Sequence, residues 1–173
     1  MNADRIMPKR WFYGETMHWM MSGVLKDHSE HTRALSPGER FLGAFIVPCF
    51  QRQPVWTEYQ KVRLIESVYM GLPIGAIVYN QTPCAGPTDR WLLDGQQRVT
   101  ALVDYVRGAV LVNGWRYPDL PLTERRHFER MGIAVIETRL TDEADCRDIY
   151  NRLAYGGTAH DAMTTAWKPE TES

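Results

Sequence analysis

The chain has 173 residues, a length that suits one domain able to close its own core. Hydrophobic residues make up 44% and charged residues 24%, a balance that excludes wholesale disorder. The formal net charge of −1 excludes a global basic field, so any contact with DNA must use a local patch. The three cysteines, Cys49, Cys84 and Cys146, are odd in number and form no CxxC. That argues against a disulfide framework or a thiolate zinc site and fits a reducing cytoplasm. No apolar run reaches the roughly 20 residues a bilayer needs, and Met1 to Arg10 lacks a signal-peptide h-region. A cytoplasmic bacterial protein without a membrane span is expected.

In chain order, residues 1–40 read as an irregular embellishment packed on the core, with a short helix over Met17-His18-Trp19-Met20-Met21. The core domain is placed at 41–160 and a frayed tail at 161–173. Phe41 to Val47 is apolar and ends at Pro48, as a strand running into a turn does. Thr57 followed by Gln60 is a capping-box signature, and Val62, Ile65, Val68, Tyr69 and Leu72 then recur at helical spacing. A helix stopping at Gly71-Leu72-Pro73 is predicted. Ile74 to Tyr79 reads as a strand, Asn80 to Asp89 as a loop or hairpin connection and Arg90 to Leu93 as the next strand. That strand runs straight into Asp94-Gly95, after which Val99, Leu102, Val103 and Val106 mark the buried face of a second helix. Farther on, Ala109 to Val112 is strand-like, Thr123 is placed to cap a polar helix, and Ile133 to Thr138 reads as a strand. Asp142 is placed to cap a last helix through Ile149, Tyr150 and Leu153, closing at Gly156-Gly157.

The segment Asp94-Gly95-Gln96-Gln97-Arg98 carries the most chemical information. A helix N-terminus leaves backbone N–H groups unpaired and bears partial positive charge, which welcomes phosphate. Gly95 lets the backbone approach an anion, and Arg98, one turn in, can reach back with its guanidinium. Asp94 suits three roles: metal ligand, base or helix cap. Gln96 and Gln97, beside a buried strand, are placed to hydrogen-bond something. Upstream, Gln51 and Arg52 follow Pro48 at the mouth of a strand, where Arg52 offers a second cationic donor. Glu66 flanks the first helix, where it can meet a metal, an arginine or solvent. Cys49 reads as a buried small hydrophobe, and His127 as solvated on a polar helix. His28 and His31 lack partners for a metal, whereas His160 sits in a loop able to fold over a nucleotide.

Taken together, five segments resemble the N-terminal domain of GmrSD-type restriction enzymes, a branch of the ParB/sulfiredoxin superfamily. They are Ile46-x-Pro48-x-Phe50-Gln51-Arg52-x-x-Val55-Trp56, Leu64-Ile65-Glu66-Ser67, Gly71-Leu72-Pro73-Ile74-Gly75, Asp94-Gly95-Gln96-Gln97-Arg98 and Tyr150-x-Arg152-Leu153. The likeness covers about Phe41 to His160. It implies an α/β (α+β) domain of ParB/Srx type, a small mixed sheet flanked by helices. It also implies binding and hydrolysis of ATP or another NTP with Mg²⁺, and DNA as the object of the activity. By position, Gly95 to Arg98 resembles the superfamily's phosphate-binding turn and Arg52 its upstream phosphate-contacting arginine. With Gln51, Gln96 and Arg152 these form the implied cofactor-binding set. Asp94, Glu66, Gln97 and Arg98 form the implied catalytic set, with Asp94 and Glu66 as metal ligands. Relatives usually have Asn where this chain has Ala154, a departure in the late segment.

Short members of the group, without an HNH or helix-turn-helix domain, include plasmid-borne fertility-inhibition proteins, and the chain is expected to stand alone like them. The implied role is an NTPase and DNase that interferes with foreign or competing DNA such as conjugative transfer, with DNA-transfer proteins as partners. The other function class is a nucleotide-gated binding protein that inhibits a partner without catalysis.

Overall fold

The computed structural model of the chain describes residues 10–27, 33–83 and 85–155. Along them run β1 (Glu15–Met20), α1 (Met21–Leu25), β2 (Arg40–Leu42), β3 (Phe45–Val47), α2 (Glu58–Tyr69), β4 (Ile77–Asn80) and β5 (Leu92–Asp94). They continue with α3 (Gln96–Val106), β6 (Leu111–Val112), β7 (Trp115–Arg116), a short 3₁₀ turn (Tyr117–Asp119), α4 (Leu122–Arg130), β8 (Gly132–Thr138) and α5 (Glu143–Tyr155). Four strands form a mixed sheet in the order β1-β8-β4-β5, in which β4 and β8 run parallel and the outer pairs antiparallel. The expected α/β class, a small mixed sheet flanked by helices, is what the chain forms.

Successive side chains on a strand point to opposite faces, and here both faces are buried. Ile77, Tyr79 and Leu92 turn toward one core, which they share with Ile65 and Val68 of α2 and Val99, Leu102 and Val103 of α3. Val78 and Leu93 turn toward the other, closed by Cys146 and Ile149 of α5. Each large aliphatic side chain taken fully out of water stabilises the fold by about 1.5–3 kcal/mol before entropy is counted. Helices therefore cover both faces, and the end of β5 opens between them.

The capping box before α2 is present in both directions. Thr57 Oγ1 accepts the Gln60 N–H at 3.3 Å and Gln60 Oε1 accepts the Thr57 N–H at 2.8 Å. Thr57→Ala removes the side-chain acceptor and is expected to cost about 1 kcal/mol, read as a lower urea midpoint.

Several local expectations are corrected. Met17 to Met20 is the end of β1, which pairs antiparallel with β8 from Glu15↔Glu137 to Met20↔Gly132, and the helix starts only at Met21. The segment read as an embellishment thus supplies a sheet strand, and Met21 and Val24 are fully buried. Phe41 to Val47 is a hairpin rather than one strand, because Gly43 turns at φ +55°. There a Cβ would lie 2.4 Å from the Val24 carbonyl oxygen. Ile74 to Ala76 remains irregular loop, and β4 begins at Ile77. Thr123 lies inside α4, whose N-cap is Pro121; the Pro121 carbonyl accepts the Glu124 and Arg125 N–H groups. Asp142 does cap α5, accepting the Ala144 N–H at 2.8 Å. Among the described residues no helix is long and apolar enough to cross a membrane.

Candidate functional site

At the end of β5 the backbone leaves the sheet through Gly95 and enters α3. Gly95 is left-handed at φ +99°, and a Cβ there would stand 3.2 Å from Ile77 Cγ1. Only glycine meets both conditions without strain, so strand and helix can join with no intervening loop. No side chain caps α3. Its first-turn N–H groups have no carbonyl one turn earlier to bond, and they point toward the cleft that opens there. This cleft, about 230 Å³, is lined by Asp94 to Arg98, Gln51, Arg52, Trp56, Leu93, Tyr150, Leu153 and Ala154.

Three glutamines hold the wall that faces the helix. Gln51 is buried and its amide nitrogen donates to the Leu92 carbonyl of β5. Gln96 Nε2 donates to the Arg52 carbonyl at 3.0 Å. Gln97 Oε1 accepts the Val55 and Trp56 N–H groups, both at 3.1 Å. The sequence expects these amides to meet a ligand; the structure uses them first to fasten residues 51–56 to the sheet and to α3. One group remains over: Gln97 Nε2 is shielded from solvent and has no hydrogen-bond partner among the described residues. An orphaned buried donor costs stability unless something accepts from it.

Arg98 is likewise committed. Its Nη1 donates to the carbonyls of Ile74 at 3.1 Å and Ala76 at 2.9 Å, and its Nη2 donates to Asp94 Oδ2 at 2.6 Å. The guanidinium straps loop 72–76 to the strand end, so closely that a Cβ on Gly75 would stand 2.7 Å from Nη1. Arg52 is the opposite case. It is exposed, and its guanidinium makes no ion pair or hydrogen bond among the described residues. Its backbone is pinned by Gln96 while its guanidinium is free beside the uncapped helix.

Not every expected residue joins this cleft. Glu66 lies on α2, pairs with Arg63 at 3.0 Å and faces a different cleft, so it does not meet Asp94. Arg152 is mostly exposed and pairs with Asp148 at 2.8 Å one turn earlier. Tyr150, Leu153 and Ala154 of the same helix line the cleft instead. Ala154 therefore puts a methyl group on the wall. Trp56 and Tyr150 carried no chemical signal in the sequence beyond their motif positions. Tyr150 reaches the site because its ring packs against Phe50, centroids 5.5 Å apart, a long-range contact that local spacing cannot reveal.

Cys49 is exposed rather than buried. Cys146 is the buried thiol, pushed up to about 12 by burial first and then by Asp145, Asp142 and Glu143, which keeps it an inert core residue. His127 is exposed, as expected. His28, His31, His160, Cys84 and the Gly156-Gly157 turn lie outside the described residues.

The described residues contain no group of three or more His, Cys, Asp or Glu that could hold a metal ion. Asp94, about 39% exposed on its side chain, is the single carboxylate that the described residues put on the cleft wall. Mg²⁺ ordinarily takes one or two carboxylates and completes its shell with water and substrate phosphate oxygens. The residues present therefore fit a metal that arrives with a phosphate ligand, held by Asp94, and do not form a preassembled cage. A roomier cleft of about 560 Å³ lies between loop 70–76, α4 and β8, but among the described residues its lining holds neither arginine nor carboxylate.

Residues 33–167 match the family model described as the GmrSD restriction endonuclease, N-terminal domain. Comparison with curated proteins and with solved structures finds no match to the chain.

Proposed function

Because the chain belongs to the GmrSD restriction endonuclease N-terminal domain family, we propose that the cleft at Asp94 to Arg98 binds the phosphate tail of ATP or another NTP and hydrolyses it to drive an action on DNA. Family membership ties the chain to nucleotide binding and to a restriction-related function on DNA. NTP hydrolysis, Mg²⁺ dependence and DNase activity are the finer part of the proposal. The observation that carries it is the pairing of the free Arg52 guanidinium with the uncapped first turn of α3 across one cleft. Two kinds of donor, one mobile and one fixed, converge where, among the described residues, only Asp94 supplies negative charge.

At about 230 Å³ the cleft is smaller than the roughly 300 Å³ at which sites for whole small molecules begin. It suits the phosphate chain, with the nucleoside passing out over Trp56 and Leu153. Arg52 closes on a terminal phosphate oxygen, the α3 N–H groups cradle the next phosphate, and Gln97 Nε2 gains its missing acceptor. A phosphate reaching Arg98 Nη2 competes with Asp94, and the displaced carboxylate turns toward the attacking water. Mg²⁺, held by Asp94 and the phosphates, would neutralise the developing charge. For the DNA, exposed Arg126 and Arg130, one turn apart on α4 and without ion pairs among the described residues, are the proposed local patch. Interference with foreign or competing DNA, conjugative transfer included, is the proposed biological setting.

Arg52→Ala tests the reading cleanly because it removes nothing the fold uses. Losing one charge-assisted phosphate bond should weaken NTP binding by about 10–100-fold while leaving the urea midpoint unchanged. Unaltered NTP affinity in calorimetric titration of this variant would sink the assignment of the cleft.

A further inference from the structure

The cleft that holds Glu66 is unrelated to the phosphate site. It begins at the opposite end of α2, about 15–20 Å along the helix from Trp56 at 1.5 Å per residue, and shares no lining residue with the phosphate cleft. Its volume is about 440 Å³. The C-terminal turn of α2 gives Tyr69 and Met70, α3 gives Tyr105, and the first turn of α4 gives Glu124. The β6–β7 hairpin supplies Trp115. The hairpin turns through Asn113 at φ +50° and Gly114 at φ +81°, the type I′ geometry that fixes where the indole is presented.

The surface chemistry of this cleft is one-sided. Trp115 is 56% and Met70 68% exposed, an unusual outlay of large apolar area at one spot. At its floor the Tyr69 and Tyr105 hydroxyls bond each other at 3.1 Å, and burial pushes both phenols up in pKa, with the Glu124 carboxylate adding to it. They stay neutral, their rings packed against each other and against Phe128. Glu66 is shared with Arg63, but the Glu124 carboxylate makes no ion pair or hydrogen bond among the described residues. Among the described residues no Lys, Arg or His lines the cleft.

Two carboxylates repel a nucleic-acid backbone, and exposed indole and thioether groups waste water contact unless covered. A guanidinium answers both conditions, since it stacks on aromatic rings while bonding a carboxylate. We propose that this cleft docks an arginine-bearing basic segment of a partner protein, with the guanidinium on Glu124 and Trp115 and the neighbouring apolar side chain on Met70.

The test uses the full chain and a blocked pentapeptide, Gly-Arg-Leu-Arg-Gly, with a peptide carrying Glu in place of Arg as control. The readout is the Trp115 indole N–H signal in a proton–nitrogen correlation spectrum, identified through Trp115→Phe. The arginine peptide should move that signal along a saturable curve, and Glu124→Gln should weaken binding about 5–10-fold. Glu124→Arg should transfer the preference to the glutamate peptide, a gain that no folding defect can imitate. Arg52→Ala should bind the arginine peptide as wild type does, which separates this cleft from the phosphate site. The proposal is overturned if neither peptide moves the signal at millimolar concentration. Equal response to both peptides, or equal affinity for arginine amide alone, overturns it as well.

Discussion

Arg98→Ala is expected to lower the unfolding free energy by about 2–4 kcal/mol and to abolish NTP binding, the largest combined effect of any single substitution in the cleft. The stability part follows from what the guanidinium holds. Ile74 and Ala76 each lose a charged donor, and loop 72–76 loses its attachment to the strand end. The Asp94 pair adds less, because that carboxylate is partly exposed and solvent screens it. Arg98→Lys should recover only part of the loss, since a single ammonium cannot serve two carbonyls and a carboxylate in the fork geometry. Lost NTP binding in Arg98→Ala therefore does not by itself identify a phosphate ligand; Arg52→Ala does. The measurement is urea unfolding of Arg98→Ala and Arg98→Lys beside wild type. Equal midpoints for all three would refute the strap.

The features readable from sequence are those whose cause is local. The α2 capping box is written in Thr57 and Gln60, and the α3 face in Val99, Leu102 and Val103, because helix period and cap chemistry act within a few residues. Gly95 announced a strand-to-helix junction for the same reason. Gly43 was equally local, yet in an apolar run it reads as a strand residue until the Val24 carbonyl, beside which only glycine fits, is in place. β1 was hidden because its pairing with β8 joins residues more than a hundred positions apart. The site follows the same division. Asp94 to Arg98 and Gln51-Arg52 do converge, but their motif does not say which side chains face ligand and which face backbone. Gln51 and Gln96 turned out to bond carbonyls, and Arg98 to hold a loop. Glu66 and Arg152 sit on helix faces that only packing could assign, and each pairs with a charge one turn away. The charge-pair spacing was visible; that it would win over the cleft was not.

Asp94→Asn is expected to cut NTP turnover by about 10²–10⁴-fold, the range a positioned acid–base group contributes, while NTP affinity is retained or rises. The two halves have one cause. In the free protein Asp94 lies 2.6 Å from Arg98 Nη2 and supplies the only carboxylate among the described residues of the cleft wall, so it both occupies a phosphate donor and opposes an incoming anion. An amide of the same shape removes the charge and still accepts a hydrogen bond from Arg98. Phosphate then binds at no greater cost, but nothing is left to orient the water or to hold Mg²⁺ beside the phosphates. Hydrolysis fails after binding rather than before it. The same variant separates the two function classes. If the protein is an NTPase whose turnover drives its action on DNA, Asp94→Asn loses that action along with phosphate release. If it is a nucleotide-gated binding protein, Asp94→Asn stays loaded and inhibits its partner as well as wild type or better. Phosphate release with Mg²⁺, NTP affinity and inhibition of plasmid transfer in cells, measured on the one variant, decide it. Wild-type turnover in Asp94→Asn would remove Asp94 from the chemistry altogether.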